Sequence, residues 1–360
     1  MPVKVFAITH KTFVVPSNPV YIPLQVGRAL AEDLGYVGDH TGDHISEKNK
    51  SYCELTGMYW IWKNIRTSDY VGICHYRRYP VNDNNVIMNE VEYEEILKEY
   101  DLITTKKLAL NFSYYDGYAA NHYRKDLDVT SDVIREKYPE YHDLFLKRVH
   151  QNHTYFGNII ITNKELFDRY SEWLFTILFE AERRIDLTDY DDYHKRVFGF
   201  ISEFLLMIWV EYNQLKVYEC KIGMTAEKTE TTDLKEQLSV FFQNRDLQGA
   251  KNYFLEILKN RPDVLMEASD VTGELKLAMQ MIATFDKEYE ETGKSLLDRG
   301  YSFYELIPLF SKLNRLVTES SFAEIQKTVL SSFDKGAVSI QMLEIAIQIQ
   351  KESAKGVKPS

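Results

Sequence analysis

Apolar residues occur in short uninterrupted runs and in longer helical stripes, and in the first part of the chain the two alternate. VKVFAITH (3–10), DYVGICHY (69–76), YDLITT (100–105) and YFGNIIIT (155–162) are brief, apolar and rich in β-branched residues, which predicts strands. KSYCELTGMYWIWKNI (50–65) places Leu55, Met58, Tyr59, Trp62 and Ile65 on one side of a helix. KELFDRYSEWLFTILFEAERR (164–184) and HKRVFGFISEFLLMIWVEYN (194–213) predict two long helices against the sheet. This alternation implies an α/β fold, a mixed, mostly parallel sheet flanked by helices, whose ligand edge is the carboxyl ends of the strands.

Past residue 230 the strand pattern stops. FFQNRDLQGAKNYFLEILKNRPDV (241–264) has Phe242, Ala250, Phe254 and Leu258 at helical spacing, with Gly249 at a turn and Pro262 ending the run. Residues 304–317 and 339–352 are similarly amphipathic. The expected organisation is one α/β domain, 1–230, and one all-α domain, 231–360. The polar stretch 226–237 reads as a linker or exposed helix start. A helix-turn-helix array would suit the second domain, although no clean repeat period is present, and it could bind an acceptor, a partner enzyme or another copy of itself. The tail SAKGVKPS (353–360) is expected to fray.

Composition sharpens this division. All four tryptophans and 21 of the 25 tyrosines precede residue 230. A net charge of -11 argues against nucleic-acid binding. Cys53, Cys74 and Cys220 are far apart with no C-x-x-C, which fits neither a disulfide framework nor a zinc site and suits a reducing cytosol. The start, MPVKVFAITHK, has no signal-peptide layout, and ISEFLLMIWVEY (201–212) is too short to span a bilayer and contains Glu203. The expectation is a cytoplasmic protein, with contact at the inner membrane face left open.

The chemistry gathers at strand ends. The strand 69–76 leads into His75, Tyr76, Arg77, Arg78 and Tyr79, and Pro80 is expected to stop its pairing. Arginine forks match phosphate oxygens, and tyrosine and histidine add hydrogen bonds; equally, Arg77 and Arg78 could balance Asp83 or Glu90. His10 and Lys11 follow the first strand, and Lys106 and Lys107 follow YDLITT. Two D-x-D-like stretches, DLD (126–128) and DYDD (189–192), follow no apolar strand: the first comes after NHYRK, and the second lies between two helices, where aspartates usually act as N-caps, so neither is favoured as a metal ligand. No histidine spacing suits zinc, and no dinucleotide, P-loop or hydrolase-elbow motif is present. Glu203 is set among apolar residues, where a carboxylate must be compensated or used. Pairing with Arg196, capping a loop, and catalysis are the three roles open to it.

Five blocks in order, GDHTGDHISEKNKSYCELTGMYWIWKN (38–64), DYVGICHYRRY (69–79), NHYRKDLDVTSDVIREKYPEY (121–141), YFGNIIITNKELFDRYSEWLF (155–175) and KRVFGFISEFLL (195–206), resemble bacterial capsular and exopolysaccharide glycosyltransferases long grouped as domain of unknown function 4422. The resemblance implies a GT-A-like fold that moves a sugar from a nucleotide-diphosphate donor to a glycan acceptor, lipid-linked or protein-linked. A UDP-linked, galactose-type hexose is the donor it favours. It puts HYRRY where metal-dependent relatives of the fold keep D-x-D, so that Arg77, Arg78 and His75, with Tyr76 beside them, replace a divalent ion, and no metal or other cofactor is expected. His10 and Lys11 would border the nucleotide, Asp39 and Asp43 the ribose or donor-sugar hydroxyls, and Tyr59 and Lys63 the pyrophosphate. Asn158 resembles a strand asparagine that touches the donor sugar, and Glu203 the general base of an inverting transfer. Relatives commonly carry arginine where this chain has Phe204, which puts acceptor choice in question. The competing readings are a non-catalytic docking module with a vestigial pocket and, less favoured for want of a water-activating metal site, a nucleotide-diphosphate hydrolase.

Overall fold

The computed structural model describes residues 2–265, 270–319, 333 and 338–354. They fall into two compact units, Met1–Thr225 and Ala226–Ser360. Of the tail expected to fray, residues 355–360 lie outside the described residues.

In the first unit β1 (Val3–Thr9), β2 (Tyr21–Gln25), β3 (Val37–Gly38) and β4 (Tyr70–His75) form a parallel run in the order β3-β2-β1-β4. Beyond β4 the pattern changes. β5 (Arg78–Val81) returns from β4 after the Tyr76–Arg77 turn, with His75 opposite Arg78. After β6 (Leu102–Thr105), a separate ribbon joins β7 (Leu108–Ala109) to β8 (His153–Thr154). β9 (Ile160–Asn163) then lies antiparallel to both β4 and β6. β10 (Val217–Met224) completes the sheet, parallel to β6 and antiparallel to β5. Four of the eight pairings are parallel and four antiparallel, so the sheet is mixed but not mostly parallel. The reason is local: a two-residue turn after β4 permits only an antiparallel return, whereas a parallel neighbour needs a crossover. Pro80 does not stop the pairing. It sits inside β5 opposite Ile222, and its carbonyl accepts the Met88 N–H at 3.0 Å, a bond that its missing N–H leaves unaffected.

Gly72 shows how tightly β4 is held between β1 and β9. A Cβ built there would stand 2.4 Å from the Ile160 carbonyl oxygen. Gly72→Ala is therefore expected to destabilise the protein by about 2–3 kcal/mol, since the neighbour is backbone and cannot swing away. Urea unfolding measures this, and an unchanged midpoint would contradict it.

Helices cover the sheet: α1 (Asn49–Tyr52), α2 (Leu55–Asn64), α3 (Glu90–Leu97), α4 (Tyr114–Asn121), α5 (Arg124–Lys137), α6 (Pro139–Val149), α7 (Lys164–Glu182) and α8 (Val197–Tyr212). The single helix expected over 50–65 is two, broken at Cys53, whose backbone is left-handed in φ (φ 52°, ψ -129°). Rings knit the helices together: Trp62 stacks on Phe175 with centroids 5.8 Å apart, Tyr52 on Phe198 at 4.7 Å, and Tyr114 on Phe204 at 4.2 Å. The tyrosine excess thus serves the core, and Phe204 is part of it, fully buried. An arginine at this position would bring a charge into that packing. Among the described residues no helix is long and apolar enough to cross a membrane.

The second unit is helical: α9 (Thr229–Gln243), α10 (Leu247–Asn260), α11 (Glu274–Thr292), α12 (Phe303–Glu319) and a further helix, Ile340–Ala354. Phe242, Phe285, Phe303 and Phe310 meet at its centre. Lys235 is 4% exposed and donates to Glu227 and Thr272, with Glu274 2.7 Å away and Asp270 3.7 Å away. One buried cation thus ties α9 to the segment that starts α11. Lys235→Met leaves three acids facing each other and is expected to cost about 3–5 kcal/mol. Helical circular dichroism followed through denaturant should show this loss, and a wild-type midpoint would rule it out.

Candidate active site

The carboxyl end of β4, the start of α2 and the first two turns of α8 converge on two residues, Gly157 and Asn158. Both have positive φ, 91° and 46°, and this breaks the strand expected over 155–162, leaving only Ile160–Asn163 paired. Asn158 is therefore not a strand residue but the second half of a left-handed turn. Asparagine tolerates that conformation because its short polar side chain finds local partners. Here its amide donates to Glu54 Oε1 at 2.6 Å, to Ser202 Oγ at 2.8 Å and to the Gly199 carbonyl at 3.2 Å.

Gly157 is gripped from both sides. Its N–H donates to Glu203 Oε1 at 2.9 Å, and its carbonyl lies 2.5 Å from His75 Nε2. A carbonyl only accepts, so Nε2 carries the proton and Nδ1 is bare in the neutral ring. Glu203 therefore does cap a loop, one of the three roles open to it from the sequence, while Arg196 donates through Nε to Cys53 Sγ at 3.3 Å. Arg78 stands by: a Cβ at Gly157 would lie 3.5 Å from its Nη1.

The electrostatics follow from burial and from these neighbours. Burial, and then the charge of Glu54, push Glu203 up to about 7, against the opposing pull of the Gly157 N–H, Arg78 and Arg196. Burial also holds His75 below its ordinary range, with Arg78 and Arg77 adding to that and Glu54 and the Gly157 carbonyl opposing it. The Cys53 thiol is raised to about 11, again chiefly by burial, so it is not a thiolate nucleophile. The result is a carboxylate poised near neutrality beside a fixed guanidinium, with a neutral imidazole setting the loop.

The residues named from the sequence fall into three groups. His75, Arg78, Asn158 and Glu203 are brought together as just described. His10, Lys11 and Tyr76 form a second cluster over the ends of β1 and β4: His10 and Tyr76 rings are 5.7 Å apart and Lys11 Nζ is 5.5 Å from the Tyr76 ring centre. Phe13 joins that cluster at 5.9 Å from Tyr76 and 5.7 Å from Tyr36, giving a ring surface that the sequence pattern does not foretell. Asp43, Tyr59 and Lys63 make the third group. Tyr59 donates to Asp43 at 3.0 Å and Lys63 Nζ lies 3.4 Å from the Trp62 ring centre. Lys63 is nine residues along from Glu54, roughly 13 Å by helix rise.

Two of the named residues have other work. Asp39 is fully buried and its carboxylate accepts from the N–H groups of Gly27 and Arg28, both at 3.1 Å, and from Ser46 Oγ at 2.5 Å. It holds the loop after β2 rather than facing a ligand hydroxyl, because it is enclosed and three of its roughly four acceptor sites are engaged. Arg77 is 5% exposed, and its carbonyl accepts the Thr225 N–H at 3.0 Å. Of the two arginines, Arg78 is the half-exposed one. Glu90, one of the acids considered as a balance for the arginines, accepts the Val3 N–H at 3.2 Å. The D-x-D-like aspartates are also engaged: Asp126 accepts from Tyr190 at 2.6 Å, Asp128 from Tyr115 at 2.8 Å, and Asp191 caps His194. Glu54 is the functional residue that sequence reasoning missed. The signal is present, an acid between Cys53 and Leu55 in an apolar run, and the argument applied to Glu203 would have found it.

A family model described as a domain of unknown function (DUF4422) matches residues 4–214. That is more than half the chain, and the protein belongs to this family. The match ends before β10, the strand that sits between β5 and β6. Among solved structures, one described as the WbbM bifunctional glycosyltransferase in its apo form is similar over 64% of this chain, with 32% identity and a TM-score of 0.57. The chain spans 46% of the length of that structure. No curated protein matches.

Proposed function

We propose that the protein is an inverting glycosyltransferase that moves a hexose, galactose-type, from a UDP-sugar to a hydroxyl of a glycan acceptor, without a divalent metal, in capsule, exopolysaccharide or glycoprotein-glycan synthesis. The observation that carries this reading is the arrangement of Glu203, Gly157, His75 and Arg78 at the carboxyl edge of β4. The likeness to a glycosyltransferase structure supports the reaction class.

In a single displacement the acceptor hydroxyl gives its proton to Glu203 as its oxygen attacks the anomeric carbon. The bond from that carbon to the diphosphate breaks, and the electron pair leaves on the nucleotide. Arg78, with Lys11 at the end of β1, faces the charge that develops there, and a preformed cation costs no reorganisation at that moment. His75 works indirectly: as a neutral Nε2–H donor it holds the Gly157 carbonyl, and so fixes the N–H that orients Glu203. Glu54 does the same for Asn158. The uracil ring lies on the aromatic side, where Tyr76, Phe13 and Tyr36 offer ring faces.

Thermal shift against UDP, GDP and CMP, each with Mg²⁺ and with EDTA, tests this directly. Stabilisation by UDP in EDTA is the expected result. Stabilisation only with Mg²⁺ would refute metal independence, and no shift with any nucleotide would favour the docking-module reading, with the helical unit as the functional part.

A further inference from the structure

Glu54 is the N-cap of α2, directly after the break at Cys53, and it is half-buried. Its Oε1 accepts from Asn158 Nδ2 at 2.6 Å, and its Oε2 has no hydrogen bond or ion pair among the described residues. The amide it holds does not require it. Asn158 Nδ2 has two hydrogens, and two other acceptors are within reach, Ser202 Oγ at 2.8 Å and the Gly199 carbonyl at 3.2 Å. A third acceptor that carries a full charge, set in the same site as Glu203, adds desolvation and like-charge repulsion to the fold. That repulsion is felt at Glu203, which Glu54 helps to push up.

The turn 157–158 also fixes where Glu54 stands. His75 meets the Gly157 carbonyl, Glu203 the Gly157 N–H, and Glu54 the Asn158 side chain. His75 closes β4 opposite Arg78, on the side given to the diphosphate, and Glu203 takes the acceptor hydroxyl. The donor sugar is bonded to the first and attacked beside the second, so it spans this turn. We infer that Glu54 is the residue that selects the donor sugar: Oε2 accepts from a ring hydroxyl of the nucleotide-linked hexose while Oε1 stays on Asn158. An ionised carboxylate only accepts, so it favours a sugar that presents a hydroxyl there over one that lacks it or whose epimer turns it away. The deoxy sugar is penalised twice, because it loses the bond and leaves a half-buried charge without a partner. The inference rests on the transferase reading above.

Isothermal titration on the full chain, in EDTA, is the test. UDP is compared with UDP-galactose, UDP-glucose and their N-acetylated forms, and then with the monodeoxy forms of the tightest. Wild-type protein is expected to bind one UDP-hexose more tightly than UDP and to lose roughly 10–100-fold when one particular ring hydroxyl is removed. Glu54→Gln keeps an oxygen for Asn158 Nδ2 and presents an NH₂ in place of Oε2. It should bind UDP as the wild type does, lose the affinity added by the sugar, and be indifferent to the deoxy substitution that harms the wild type. Equal loss for UDP and UDP-hexose would mean that Glu54 only holds the turn, and would overturn the inference. So would wild-type hexose affinity in Glu54→Gln, or a hydroxyl deletion that costs both proteins the same. The wild-type series stands without the variant: no UDP-hexose tighter than UDP, or no ring hydroxyl whose removal matters, would overturn the contact by itself. Failure of the wild type to bind UDP would instead remove the transferase reading.

Discussion

Glu203→Gln is expected to lower sugar transfer by about 10²–10⁴-fold while leaving the melting temperature unchanged or higher. The amide keeps an oxygen for the Gly157 N–H, so the loop 157–158 stays in place. What goes is the capacity to take a proton. The same residue sets the pH dependence: with Glu203 raised to about 7, transfer by the wild type should climb as pH rises through 7, where the base becomes free. The stability effect runs in the other direction. Between the ordinary value of 4.5 and about 7 the folded protein keeps a proton that the unfolded chain releases, so folding loses stability across that window and no more above it. The glutamine variant has no such loss, and its advantage over wild type should grow from acid to neutral pH and then level. Melting curves from pH 4 to 8.5 beside a rate profile check both halves; transfer within tenfold of wild type would take the base role from Glu203.

Arg78→Ala should weaken UDP binding in EDTA by roughly 10–100-fold with little change in melting temperature, as suits the loss of a charge-assisted phosphate contact. Arg77→Ala should do the reverse, lowering stability first, because its side chain is buried and Arg78 is the one that faces out. Arg78→Lys should recover part of the affinity, since a point charge remains but the planar fork is gone. Isothermal titration with UDP, paired with melting curves, separates the two arginines. Equal loss of nucleotide affinity in both, at equal stability, would show that they act together on the phosphates and that burial does not divide their roles.

Much of the site is visible in the sequence because its residues carry unmistakable costs. An acid in an apolar helix, Glu203, and two arginines after an apolar strand, Arg77 and Arg78, stand out against their surroundings without any coordinates. Glu54 is equally visible, but it sits where the apolar stripe implies a continuous helix and the chain in fact breaks at Cys53. That break depends on a backbone conformation no side chain there announces, for a cysteine gives no hint of positive φ. The strand expected over 155–162 is cut short for the same reason. The apolar run is real, but Gly157 and Asn158 turn it, and their turn is held by Glu54, Ser202 and His75, which come from far along the chain.

Hydrophobic period and residue type are local properties, and from them follow the α/β alternation, the all-helical second unit and the chemical character of the strand ends. Which groups act does not follow from them. Asp39 and Arg77 carry the same charges as Asp43 and Arg78, and only burial and the donors already in place assign the first pair to the framework. A side chain's availability depends on what other segments have brought to it, and that is settled when β4, α2 and α8 meet around two residues of a turn.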